Sequence, residues 1–240
     1  MGNNPNFLGE DRGIILAADV SHINDLRKLA ELGSQVGGVV AIKVGFSLAL
    51  RYGLPPLVKA VKEVTGLPVI YDHQKAGTDI PAMGKPFAEV CLDAGIQGII
   101  LFPHAGPKTL ESFIKATFDC KLTPIVGLVM SHEAYLAGEG GFIIDDAPEI
   151  ICRIALSAGV RNFVLPGTKP DIIAKYCQGS LSAAKPANIM MPGFGSQGGL
   201  IARAFEASRG HFQFPIIGSA IYKSANPMAA LEQFVAEIRA

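Results

Sequence analysis

Val69-Ile70-Tyr71-Asp72-His73-Gln74-Lys75-Ala76-Gly77-Thr78-Asp79-Ile80-Pro81 sets the reading of the whole chain. It opens as an apolar run of strand-forming residues. Two carboxylates and a lysine then fall within eight residues, and a glycine and a proline accompany them. Burying an unpaired charge is costly, so a strand that runs into such a cluster should end at an open mouth. Charges crowded there shift one another's pKa values, as a proton-transfer site requires. The segment points to an enzyme.

Outward from it, short apolar runs alternate with amphipathic ones. Strands are expected over 13–20, 38–46, 67–74, 98–103, 124–130, 162–166, 188–192 and 214–221. Helices are expected over 24–36, 47–65, 85–95, 107–120, 147–159, 170–177 and 199–209, and 226–240 closes the chain. The strands read as continuous apolar runs, which indicates parallel strands covered on both faces. Gly37-Gly38, Gly66, Gly95, Gly159 and Gly210 stand as helix stops before the next strand. Eight strand–helix units in one chain fit a (β/α)₈ TIM barrel better than an open sheet. A doubly wound fold usually carries a glycine fingerprint after its first strand; here that strand ends Ala18-Asp19-Val20-Ser21. No linker or low-complexity stretch divides the chain, so 1–240 is expected to be a single barrel domain, with 1–11 a flexible or capping N-terminal segment.

The 240 residues can bury a sizeable core. Basic and acidic residues balance at 21 each, which gives no field to attract nucleic acid or an anionic membrane. Cys91, Cys120, Cys152 and Cys177 are widely spaced with no C-x-x-C pair, as expected of buried thiols in a reducing compartment. No apolar run approaches the roughly 20 residues that span a bilayer, and the N-terminus lacks the apolar centre of a signal peptide. A cytoplasmic protein is expected.

In a barrel of this kind chemistry gathers at the C-terminal strand ends. Those ends offer Asp19, Lys43, Asp72 with Lys75 and Asp79, and Ser131-His132; later come Pro192-Gly193-Phe194-Gly195-Ser196-Gln197-Gly198-Gly199 and Gly218-Ser219. Any one charge alone reads as a solvated loop residue, whereas the set together reads as a site. Lys43 lies inside Val39-Val40-Ala41-Ile42-Lys43-Val44-Gly45, so it must either pair with a carboxylate or lose its proton, as a Schiff-base nucleophile would. Two aspartates nearby favour pairing. The glycine-rich loop after the seventh strand, running into a helix, suits an anion, and Gly218-Ser219 supplies the other half of the usual phosphate site. The plainer reading of the loop is a tight turn. His22, His73, His104, His132 and His211 are scattered without metal-binding spacing, so no metal is expected. Met190-Met191 are expected in the core, and Arg203 and Arg209 on a solvent face.

Taken together, Leu16-Ala17-Ala18-Asp19, Ile42-Lys43-Val44-Gly45, Asp72…Lys75…Asp79-Ile80-Pro81, Met130-Ser131-His132, Pro192–Gly199 and Gly218-Ser219-Ala220-Ile221-Tyr222 resemble the orotidine 5′-monophosphate decarboxylase family. The resemblance implies a cofactor-free homodimer of barrels that makes UMP from a small-molecule nucleotide. It implies that Lys75 protonates C6 as CO₂ leaves, that Asp72 sits beside the substrate carboxylate, and that Asp79 crosses from the other subunit. Lys43 would pair with Asp72 and, with Asp19, hold the ribose. Ser131 and Gln197 would read the pyrimidine, Gln197, Gly198 and Gly199 would hold phosphate, and Ile80, Pro192, Gly218 and Ser219 would complete the pocket.

Three departures stand out. The family commonly spaces its cluster D-x-K-x-x-D, whereas this chain has D-x-x-K-x-x-x-D, with Gln74 in the literal lysine slot. An odd separation puts Asp72 and Lys75 on opposite strand faces, so a bulge or an early strand end is needed. The family's phosphate-clamping arginine is Ser219, and the threonine of D-I-P-x-T is Met83. Two alternatives remain at this point: a metal-dependent sugar-phosphate decarboxylase or aldolase on the same scaffold, and a barrel that binds a nucleotide or sugar phosphate without turnover.

Overall fold

The computed structural model describes residues 7–73, 79–195 and 198–240. Eight parallel strands pair in chain order, and the last returns to the first to close a barrel. They are β1 (Ile14–Ala18), β2 (Val39–Gly45), β3 (Val69–Asp72), β4 (Gly98–Leu101), β5 (Thr123–Gly127), β6 (Asn162–Val164), β7 (Asn188–Pro192) and β8 (Phe212–Ile217). The helices are α1 (Ile23–Gln35), α2 (Phe46–Tyr52), α3 (Leu54–Lys62), α4 (Gly84–Asp93), α5 (Pro107–Asp119), α6 (Ala147–Ser157), α7 (Pro170–Gln178), α8 (Ile201–Ala207), α9 (Ser219–Tyr222) and α10 (Pro227–Arg239). The TIM-barrel expectation holds.

Apolar spacing and first-turn residues account for two of the longer helices. In α5 a proline opens the first turn and Leu110, Phe113, Ile114 and Thr117 fall on one buried stripe. In α10 the Asn226 side chain accepts from the Ala229 N–H at 3.2 Å, Pro227 comes next, and Leu231, Val235 and Ile238 are buried. Burying each of those three side chains contributes roughly 1.5–3 kcal/mol.

The pleat sorts each strand into two cores. Ile14, Leu16 and Ala18 pack outward against the helices, while Ile15 and Ala17 join Ile70, Ile100, Ile125, Val164, Met190, Phe214 and Ile216 inside the barrel. Leu8, with Phe7 against it, belongs to the same inner cluster. Gly127 leaves room in that interior: a Cβ there would lie 2.2 Å from the Phe102 ring. Met190 and Met191 are fully buried, Arg203 and Arg209 are exposed, and Cys91, Cys152 and Cys177 are buried with Cys120 partly so.

Two expected elements come out differently. The helix expected over 47–65 is two helices, because Gly53 takes a φ of +75° and Pro55-Pro56 come after it, and prolines suit a new first turn. The strand expected over 214–221 begins at Phe212, paired with Asn188, and ends at Ile217. Residues 219–222 are the short helix α9 instead.

Candidate active site

The inward row that fills the barrel also builds the site. Two residues beyond inward Ala17 stands Asp19, two beyond Ala41 stands Lys43, and two beyond Ile70 stands Asp72. Strand pairing aligns them: Lys43 lies opposite both Ala17 and Ile70. Gly45 keeps the space open, since a Cβ there would come within 2.8 Å of Asp19 Oδ1.

The Lys43 ammonium donates to Asp72 Oδ2 at 2.9 Å and to Asp19 Oδ1 at 3.4 Å. The Lys43 and Asp72 side chains are 8% and 7% exposed, whereas that of Asp19 is 51% exposed. Burial alone pulls the Lys43 pKa down; the charges of Asp72 and Asp19 and their hydrogen bonds outweigh it, so the pKa ends above its ordinary value. Lys43 is therefore the ammonium of a buried ion pair and not a neutral amine. Of the two readings the sequence left open, pairing is the one observed.

Ala17, Asp19, Lys43 and Asp72 wall one side of a cavity at the barrel mouth. Ile100 and Phe102 stand beside them, followed by Val129, Met130 and Ser131, then Val164, Pro192, Gly193 and Phe194, and finally Ile216, Gly218, Ser219 and Tyr222. A charged corner thus faces an apolar wall across a concavity, the arrangement that orients a polar ligand.

Of the residues singled out from the sequence, Asp19, Lys43, Asp72, Ser131, Pro192, Gly218 and Ser219 meet at this cavity. Lys75 and Gln197 lie outside the described residues, as does Gln74. β3 ends at Asp72, so the described strand stops short of Lys75. Asp79 and Ile80 are exposed and do not line the cavity; the Asp79 carboxylate accepts the Ile80 N–H at 2.7 Å, and its carbonyl accepts the Thr109 hydroxyl at 2.8 Å. Gly198 and Gly199 also stand off the cavity wall, their N–H groups donating to Gly195 and Gly193 carbonyls at 3.0 and 3.1 Å.

Tyr222 belongs to a motif visible in the sequence, but no role could be read for it; its hydroxyl donates to the Asp19 carbonyl at 3.2 Å and so ties α9 to the end of β1. Burial, and then Asp19, raise its pKa. Sequence reasoning missed the apolar wall of Ile100, Phe102 and Met130, because such residues look the same in sequence whether they face a ligand or a core. Among the described residues no three His, Cys, Asp or Glu side chains gather to hold a metal. No described helix is long and apolar enough to cross a membrane.

Comparison with known proteins agrees with this geometry. Residues 12–234 match the model of the orotidine 5'-phosphate decarboxylase / HUMPS family. An orotidine 5'-phosphate decarboxylase of Methanosarcina barkeri is 32% identical over 227 residues, covering 95% of each chain. One from Thermoplasma acidophilum is 30% identical over 226 residues, covering 94% of each. Among solved structures, the orotidine 5'-monophosphate decarboxylase of Methanocaldococcus jannaschii complexed with the inhibitor BMP superposes with a TM-score of 0.80 at 26% identity, covering 95% of this chain and 99% of that one.

Proposed function

Because the chain belongs to the orotidine 5'-phosphate decarboxylase / HUMPS family, we propose that it converts orotidine 5′-monophosphate to UMP and CO₂ without metal or organic cofactor. The observation that carries this reading is the buried, charged Lys43–Asp72 pair, flanked by Asp19, at the mouth of a cavity walled by Ser131, Pro192 and Ser219.

Breaking the bond from C6 to the carboxylate leaves an electron pair on a ring carbon with no adjacent sink. Lys75, as an ammonium, stabilises that charge and gives its proton to C6, and is left a neutral amine for solvent to recharge. Asp72 stands beside the departing carboxylate and keeps the lysines charged. Lys43 fixes Asp72 and, with Asp19, holds the ribose hydroxyls. Ser131 and Gln197 read the pyrimidine edge.

Phosphate lies between the β7 loop and Gly218-Ser219. For Gly198 and Gly199 to bind it, their N–H groups must exchange the turn bonds to Gly195 and Gly193 for phosphate oxygens. Binding energy remote from C6 can drive such a loop change.

The enzyme works as a cytoplasmic homodimer in this reading, with Asp79 and Ile80 completing the neighbour's site. The exposure of both, outside their own chain's cavity, supports that assignment. The matched family spans HUMPS as well as the decarboxylase, so the rival is a metal-dependent sugar-phosphate enzyme on the same scaffold. Turnover by chelator-treated protein separates the two. Full activity on orotidine 5′-monophosphate after EDTA is expected; activity lost with EDTA and restored by Mg²⁺ would favour the rival.

A further inference from the structure

Residues 131–146, between β5 and α6, form a loop that begins at Ser131 on the cavity wall. It closes on itself: the Ala137 N–H donates to the Ile143 carbonyl at 2.7 Å, and the Gly141 N–H to the Leu136 carbonyl at 2.8 Å. It is also held from both sides. On one flank Lys169, just before α7, donates to Glu139 at 2.8 and 3.0 Å. On the other, the Tyr135 hydroxyl and His104 Nε2, on the turn after β4, are 3.2 Å apart.

The second contact pairs a buried tyrosine with an exposed histidine. Tyr135 is 6% exposed, and its ring also meets His132 edge-on with centroids 5.9 Å apart. His104 in turn lies against Phe102, which walls the cavity, at 6.0 Å. Ala134, next to Tyr135, sits at φ +54°, a left-handed conformation unfavourable to a residue with a Cβ. Surrounding contacts must offset that cost, and the seating of Tyr135 in the core and against His104 and His132 is among them. Burial pushes the Tyr135 phenol up to about 12, so it remains a donor at neutral pH. Burial, then the neighbouring His132, lowers the His104 pKa and favours its neutral form.

We propose that Tyr135 and His104 are positioning residues: a neutral clasp that fixes the loop carrying Ser131 and thereby sets how tightly the pyrimidine end of the nucleotide is held. The clasp joins two cavity walls, Phe102 through His104 and Ser131 through Tyr135. Neither residue touches the reacting atoms. The inference rests on the decarboxylase reading of the cavity.

Steady-state kinetics of Tyr135→Phe, His104→Phe and the double variant test it. A net hydrogen bond of ordinary strength corresponds to a KM increase of roughly 2- to 12-fold in each single variant. kcat at saturation is expected to stay within about twofold, since positioning of this kind acts on binding. The double variant should be no worse than the poorer single one, because both changes remove the same bond. Hydrogen exchange supplies a readout independent of turnover. In Tyr135→Phe the Ala137, Gly141 and Ile143 amides should exchange faster while those of β1 and β4 keep their protection. Unchanged KM, single effects that multiply in the double variant, or unchanged loop exchange would each overturn the clasp. A wild-type protein without turnover would instead overturn the decarboxylase reading, and the exchange data would still decide the clasp.

Discussion

Replacing Asp72 by Asn keeps the shape of Lys43's nearer partner and removes its charge. The remaining carboxylate, Asp19, lies 3.4 Å away with its side chain 51% exposed, so solvent screens much of its attraction. Breaking a buried pair from one side costs about 3–5 kcal/mol. An independent ceiling exists, because Lys43 can escape by shedding its proton. From an ordinary value near 10.4, at 1.36 kcal/mol per unit, that costs roughly 4.6 kcal/mol at pH 7 and about 1.9 kcal/mol at pH 9. In the wild type the Lys43 pKa is raised, so the pair's contribution is complete below the unfolded value and is lost only as pH rises through the folded one. The penalty in Asp72→Asn should therefore be about 4 kcal/mol at pH 7, or ~8–16 °C in Tm for a chain of this length, and should shrink by about half at pH 9. Adding Lys43→Met should recover part of it, because it removes the buried cation that the first change left without its nearer partner. Urea unfolding followed by circular dichroism at both pH values measures this. A loss below about 1 kcal/mol at pH 7, or one that does not shrink at pH 9, would refute the argument that Lys43 is a buried cation held by Asp72.

Lys75→Ala should lower kcat by roughly 10²–10⁴-fold, the range for a lost general acid, while Gln74→Ala stays near wild type; the reverse pattern would move the proton donor to the literal slot of the family spacing. Ser219→Arg places a guanidinium at the end of β8 and should tighten UMP binding by about tenfold or more in calorimetry; unchanged affinity would mean that phosphate does not reach Ser219. Burial of His211, with a smaller push from Lys185, lowers its pKa despite its bond to the Cys177 carbonyl. Its neutral form therefore contributes stability that is present above the unfolded value, near 6.5, and is lost as pH falls through the folded one. Unfolding free energies of His211→Gln between about pH 7 and 5 should show a flatter acid slope than wild type, and an equal slope would contradict the assignment.

The eight strands were legible because each is a short apolar run covered on both faces, and Asn188–Pro192 was bounded correctly at both ends. Strand ends elsewhere were less so: Gly218 and Ser219 are succeeded by apolar residues that the sequence alone extends as a strand, while the backbone turns into α9. Gly53 and Pro55-Pro56 were visible as breakers but lay inside a periodic pattern long enough to hide the break. At the site, Lys43 was legible because a charge within an apolar strand requires a partner, and Asp72 and Asp19 supply it. Tyr222 and the Tyr135–His104 pair gave no such signal. Their roles arise from contacts between elements 203 and 31 residues apart, which no local pattern encodes.

A decarboxylase of orotidine 5′-monophosphate must replace the C6 carboxylate with a proton from an exchangeable donor. Turnover in D₂O, with the product examined by mass spectrometry and proton NMR, is the decisive experiment. The expected result is one CO₂ for each UMP formed and deuterium at C6 of the pyrimidine. Purified protein that binds the nucleotide yet yields no UMP, or UMP carrying only protium at C6, would contradict it.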